Sequence, residues 1–303
     1  MTDPVLLGVD WGSSRLRGYA VAADGGILET AHSDAGILLA DRADLAGALA
    51  ALLGDWSTRW PHAPIVASGM VGSRNGLKEV AYVGTPARAE DVRNGMEVVD
   101  VCGVPVAIVP GLVHRGESGV DVMRGEETIL FGCAAGTGTV VLPGTHSKWA
   151  TVDGGRVTEF CTFATGELFD TLLHSGSLRE LLQAEAGHDA KAFRDGVHRG
   201  LESSGILHDY FAVRAEVVSG GASAAGIPSR LSGLLIGHEI AEALGRSLLA
   251  PGEPITIVGD GALVERYGDA VGIAGLTATV LPAVPCLARG WLLLANDLPR
   301  RES

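Results

Sequence analysis

Near its start the chain carries Asp10-Trp11-Gly12-Ser13-Ser14-Arg15, an acidic residue closing an apolar run and followed by a glycine, two hydroxyls and an arginine. That combination suits phosphate. A tight turn points successive backbone N–H groups at one spot, where they and the hydroxyls can hold phosphate oxygens. Asp10, beside the turn, could hold a divalent cation directly or through water, because hard cations take oxygen ligands. Half a chain later, Gly144-Thr145-His146-Ser147-Lys148 offers a second set of donors on a tight turn. Two such turns, one per domain and facing across a cleft, would make a nucleotide clamp.

Other phosphate and catalytic motifs are missing from the sequence. No G-x-x-x-x-G-K-[ST] segment occurs, which excludes a P-loop. Gly136-Thr137-Gly138 lacks the third glycine of a dinucleotide fingerprint and precedes a strand rather than a helix. There is no G-x-S-x-G nucleophile elbow. His238-Glu239 opens like a zinc-protease motif, but position 242 is Glu. Cys102, Cys133, Cys161 and Cys286 are scattered and read as buried reduced thiols rather than a disulfide framework.

The donor turns need scaffolds, and the sequence repeats one. Residues 5–30 read as strand, Gly-Ser-Ser turn, strand over Leu16–Ala22, Asp-Gly-Gly turn and third strand. Residues 139–163 repeat this plan around Gly-Thr-His-Ser, with a strand over Lys148–Val152 and a second Asp-Gly-Gly turn. Asp-Gly-Gly is a hairpin signal because the turn needs positive φ. Elsewhere helices are expected over Ala43–Arg59 (N-cap Asp41 or Asp44), Glu126–Ala135, Glu167–Leu182, Ala190–Ser203, Ser229–Leu249, from Ala262, and Cys286–Ala295. Short strands are expected over Pro64–Ala67, Val104–Val109, Ile255–Val258 and Thr277–Val280. The alternation predicts an α/β protein. The division falls as residues 1–135 and 136–303, with a hinge near Ala134–Thr139 and a last helix, about 286–296, packing back on the first domain.

With 303 residues, 47% of them hydrophobic, the chain is long enough for two compact domains and too apolar for a disordered one. Its net charge of −13 argues against sequence-independent nucleic-acid binding, which needs a basic face. The start shows no basic region followed by an apolar stretch, and no run approaches membrane-spanning length, so a cytoplasmic protein with no membrane partner is expected. Glycine, at 43 residues, is about twice as common as usual and implies many sharp turns or close backbone approaches.

Along nearly its whole length the sequence resembles the actin-like ATPase superfamily, which includes hexokinase, heat-shock chaperones and actin. Within it the chain is similar to the 2-dehydro-3-deoxygalactonokinase family. The resemblance rests on residues 10–14 (DWGSS), 67–73 (ASGMVGS), 122–128 (VMRGEET), 143–149 (PGTHSKW), 165–168 (TGEL) and 232–239 (SGLLIGHE). It implies a two-domain, ribonuclease H-like fold with duplicated mixed sheets, flanking helices and a central cleft. It also implies an ATP- and Mg²⁺-dependent kinase acting on 2-dehydro-3-deoxy-D-galactonate at its 6-hydroxyl, in galactonate catabolism. One departure stands out: the second turn of the superfamily usually opens with Asp, and here that place is Pro143.

The resemblance also implies roles. Related sugar kinases take their base from the start of the helix before the second turn, which here offers Glu126 as the base, with Glu127 and Asp10 as alternates. The competing reading is that the glutamate pair only complements its helix dipole. Phosphates would meet Gly12, Ser13, Ser14, Arg15, Gly144, Thr145, His146, Ser147 and Lys148, with Asp10 on the metal and Gly259, Asp260 and Gly261 flanking adenosine. A sugar-acid carboxylate calls for arginine, and Arg124, Arg74 and Arg88 are the candidates. Ser68, Gly69, Met70 and Thr85 would complete that site. Alternatives are a kinase for another 2-keto-3-deoxy aldonate such as the gluconate epimer, or a non-kinase ATPase or sugar sensor. A homodimer is compatible with the sequence, which leaves oligomeric state open.

Overall fold

A computed structural model describes residues 3–40, 44–116, 119–133, 136–183, 187–249, 252–296 and 298. Asp41, Ala134 and Ala135, named above for a cap and a hinge, lie outside them. The chain forms two compact units: residues 1–137, 152–159 and 282–303 make the first, residues 138–151 and 160–281 the second.

In the first unit β1 (Leu6–Trp11), β2 (Leu16–Val21) and β3 (Ile27–Ser33) form an antiparallel meander. After α1 (Leu45–Leu53) and α2 (Trp56–Arg59), β4 (Ile65–Gly69) runs parallel to β1. The single helix expected over Ala43–Arg59 is broken at Gly54, whose φ of +51° no helix accommodates. Next come β5 (Val83–Gly84), β6 (Ala87–Arg88), α3 (Ala89–Asn94), β7 (Glu97–Val101) and β8 (Val104–Ile108). The main sheet has the order β3-β2-β1-β4-β8-β7. β1 and β4 are almost wholly buried, as central strands covered on both faces must be. A smaller sheet pairs β5 with β9 (Leu112–Gly116) and β9 with β10 (Gly119–Met123), leading into α4 (Glu126–Gly132). Too short for a clear period, α3, β5 to β7, β9 and β10 escaped the sequence reading.

The second unit repeats the meander as β11 (Thr137–Leu142), β12 (Ser147–Asp153) and β13 (Arg156–Phe163). The tip of that hairpin belongs to the first unit, where Arg156 and Val157 pair with Arg88 and Ala87. Four helices follow: α5 (Thr165–His174), α6 (Ala190–Glu202), α7 (Ile206–Val218) and α8 (Ile227–Gly245). α5 stops well short of Leu182, and α7 was not foreseen. β14 (Ile255–Val258), α9 (Ala262–Ile273) and β15 (Ala278–Leu281) complete the unit, with β14 parallel to β11 and β15. α8 is apolar on nearly all sides, which suits a helix buried between α6 and its other neighbours.

The last helix, α10 (Ala283–Leu294), packs on α4 within the first unit. Part of the glycine excess resides here. A Cβ on Gly132 would lie 1.7 Å from the Cys286 carbonyl oxygen, and one on Gly290 would lie 1.9 Å from that of Thr128. The two backbones touch, and this contact fixes the helix that carries Glu126 and Glu127.

Candidate active site

In the first unit Asp10 sits near the end of β1, partly buried, directly across the β1–β2 ladder from Arg17. A guanidinium nitrogen of Arg17 lies 3.6 Å from Asp10 Oδ2. Burial pushes the Asp10 carboxyl above its ordinary range; Arg17 pulls it back and the nearby charge of Glu126 pushes it up further. The turn beyond Asp10 closes by the Gly12 N–H donating to the Arg15 carbonyl, at 2.9 Å. It is braced by the N–H groups of Ile37 and Leu38 on the carbonyls of Gly12 and Ser13. Ser13, Ser14 and Arg15 are exposed on it. Trp11 is fully buried and donates to the Ala35 carbonyl, so it packs the turn from behind.

The two glutamates of α4 occupy different environments. Glu126 accepts from the Arg124 N–H at 3.0 Å and is partly exposed. Glu127 is fully buried and accepts from the Gly125 N–H at 2.6 Å and the Thr128 hydroxyl at 3.0 Å. Burial first, then the charge of Glu126, lifts the Glu127 carboxyl to about 8, against the pull of its hydrogen bonds. Glu127 is therefore mostly protonated near neutrality, and Glu126 with Asp10 are the carboxylates that keep access to solvent. The entry to α4 requires glycine: Gly125 has φ +109°, and Gly69, which a Cβ on Gly125 would approach to 3.1 Å, has φ +95°.

Arg124 lies with its guanidinium 4.2 Å above the Tyr82 ring and donates to the Val80 carbonyl at 2.8 Å. Its Nε and Nη1 are buried without a hydrogen-bond partner among the described residues. The other arginines are committed differently. Arg74 is 85% exposed and pairs with Glu79, while Arg88 donates to the Gly154 carbonyl. Ser68 is buried, bonding Val9 and Trp291, so its hydroxyl serves the core. Met70 begins a short 3₁₀ turn after β4, and Thr85 bonds His114 at 2.8 Å.

In the second unit the turn after β11 is seated on the start of α5. The Glu167 N–H donates to the Thr145 carbonyl at 3.0 Å, and a Cβ on Gly166 would meet the Gly144 carbonyl oxygen at 2.5 Å. His146 is exposed and pairs with Glu167 at 2.7 Å. Ser147 and Lys148 are buried. Gly259, Asp260 and Gly261 join β14 to α9, and Gly261, with φ +72°, caps the helix.

Two functional candidates were missed. Arg17 could have been found: the turn at Gly12–Arg15 sets the register, and counting outward places Arg17 opposite Asp10. Glu239 closes the 232–239 segment already noted, but its role could not be read there, because nothing local signals a partner, Trp149, 90 positions away.

The 2-keto-3-deoxy-galactonokinase family model matches residues 10–294. The 2-dehydro-3-deoxygalactonokinase of Escherichia coli (strain K12) is 36% identical over 292 residues, covering 96% of this chain and 97% of that one. A crystal structure from Sinorhizobium meliloti, assigned to the 2-dehydro-3-deoxygalactonokinases, superimposes with a TM-score of 0.85 at 37% identity. It covers 97% of this chain and 99% of its own. The activator of 2-hydroxyisocaproyl-CoA dehydratase from Clostridium difficile, with bound ADPNP, shares the fold at 14% identity with a TM-score of 0.53, covering 96% and 94%. The α/β fold is that of the actin-like ATPases.

Proposed function

Because the chain belongs to the 2-keto-3-deoxy-galactonokinase family, we propose that it transfers the γ-phosphoryl group of ATP to the 6-hydroxyl of 2-dehydro-3-deoxy-D-galactonate. The products are ADP and 2-dehydro-3-deoxy-6-phosphogalactonate. The observation that carries this reading is the family match over residues 10–294, which spans both donor turns and the glutamate helix.

Phosphoryl transfer needs positioning and charge neutralisation more than covalent help from the protein. Glu126 is the general base: its carboxylate takes the proton of the 6-hydroxyl as that oxygen bonds to the γ-phosphorus and the bridging oxygen leaves with ADP. Glu127, protonated and buried, fixes the start of α4 instead of acting as base. The donor set suits Mg²⁺, which binds through one or two carboxylates together with substrate phosphates. Asp10, beside a second carboxylate, is the residue to hold it. The ion would neutralise phosphate charge. Arg124, with two buried nitrogens unmatched, supports a role in pairing the sugar-acid carboxylate. The turn at Gly12–Arg15 and residues Gly144–His146 of the second turn supply phosphate contacts, Ser147 and Lys148 being buried behind it instead, and Gly259–Gly261 flanks adenosine.

A coupled assay for ADP release tests the reading. Release should depend on added 2-dehydro-3-deoxygalactonate, with a higher kcat/KM than for the gluconate epimer. Equal release without any sugar acid would sink it.

A further inference from the structure

Behind the second donor turn lies a buried polar cluster that the proposed chemistry does not use. Glu239, on α8, is 3% exposed and gathers donors from three other elements. The Trp149 indole N–H, on β12, donates to its Oε1 at 2.7 Å. Thr165, the first residue of α5, donates its hydroxyl to Oε2, and the Tyr267 hydroxyl, on α9, donates to the same oxygen at 2.7 Å. Tyr267 in turn lies 2.6 Å from the Ser147 hydroxyl, the residue where β12 leaves the turn. A buried carboxylate is costly to desolvate, and one so fully matched makes each partner's position depend on the others.

Each partner borders a segment assigned above to the nucleotide. Ser147 belongs to the second turn. Thr165 begins the stretch whose Gly166 and Glu167 seat Gly144 and Thr145. Tyr267 lies on the helix that Gly261 caps. Pro143 stands where an acidic residue would open this turn, so no side-chain carboxylate of its own organises it. We propose that Glu239 is a positioning residue which, through Thr165, Trp149 and Tyr267, holds the second turn and the start of α5 in the geometry that binds ATP. This rests on the reading that the second turn takes the nucleotide.

The chemistry predicts what an amide would do. The Trp149 indole can only donate, so in Glu239→Gln the amide oxygen must stay at the Oε1 position. The amide NH₂ then replaces Oε2 and faces two hydroxyls that had been donating to it. Both must turn, and the link to Ser147 is remade. Tyr267→Phe is the milder variant: it removes one donor to Oε2 and the link to Ser147, and leaves Trp149 and Thr165 on the carboxylate.

The test uses the full chain, with ATP affinity measured by calorimetry without sugar acid and steady-state kinetics measured in parallel. In Glu239→Gln, ATP affinity should fall and the KM for ATP rise about tenfold, with the KM for the sugar acid within about twofold. Tyr267→Phe should show the same pattern at about threefold. Unchanged ATP affinity in a folded Glu239→Gln, or equal rises in both KM values, would overturn the proposal. Should Glu239→Gln fail to fold, Tyr267→Phe decides in the same terms. A wild-type chain that binds ATP but transfers nothing to the sugar acid defeats the kinase reading alone; an active wild type whose variants bind ATP normally defeats this inference alone.

Discussion

The two donor turns, Gly12–Arg15 and Gly144–Lys148, follow one strand–turn–strand plan and differ in the source of their carboxylates. At the first, Asp10 is carried by the leading strand itself, stays partly open to solvent, and is balanced by Arg17 across the ladder. At the second, the leading strand ends at Leu142, Pro143 follows, and the carboxylate comes from behind, from Glu239 on α8. One is placed where it can meet a cation or a proton; the other is spent on three neighbouring elements of the scaffold. Duplication of a hairpin therefore need not duplicate its chemistry.

If charged chemistry is concentrated in the first unit, its removal there should produce the largest loss. Glu126→Gln is expected to lower kcat by about 10² to 10⁴, the usual range for losing a general base, with little change in either KM. Near-normal kcat in this variant, together with inactivity of Glu127→Gln, would reverse the assignment of the two glutamates.

A middle-sized effect concerns stability. Glu127 has an ordinary value of 4.5 and stands at about 8 in the folded chain. Between those values the native state holds a proton that the unfolded chain has released, so the contribution of Glu127 to native stability is greatest below the lower value, falls as pH rises, and levels off above the higher. Glu127→Gln has no such proton to lose. Its Tm should gain on that of the wild type by several degrees between pH 5 and pH 8, followed by thermal melts; parallel Tm curves would contradict the buried, protonated state. The amide can still accept from Gly125 and donate to Thr128, so the fold should survive.

The smallest effect is expected at the surface of the second turn. His146 and Glu167 are both about half exposed, and exposed pairs contribute about 0–1 kcal/mol. His146→Ala should change the KM for ATP by less than about threefold. A loss comparable to that of Glu126→Gln would place chemistry on the second turn and break the contrast between the two.

Much of this was legible in the chain alone. The duplicated hairpins were readable because Asp-Gly-Gly and a strand-ending Asp-x-Gly-Ser-Ser are local signals, and β14 appears over the residues its apolar run predicts. α8 and α10 were recognisable as helices, each starting a few residues earlier than expected. The small sheet of β5, β9 and β10 was not, because its short strands are held by partners distant in sequence. Glycine could be counted but not placed: the chain announced close approaches, and only the packed structure assigned Gly132 and Gly290 to the α4–α10 crossing and Gly125 and Gly69 to the entry of the glutamate helix.

The sequence by itself determined the donor turns, the register that sets Arg17 against Asp10, and the glutamate pair at a helix start. These follow from neighbours along the chain, whose geometry the peptide backbone dictates. Tertiary structure decided which glutamate is buried, which arginine retains unmatched nitrogens, and which helix lends the second turn its carboxylate. Burial and hydrogen-bond matching depend on atoms brought together from distant segments, and only folding brings them together.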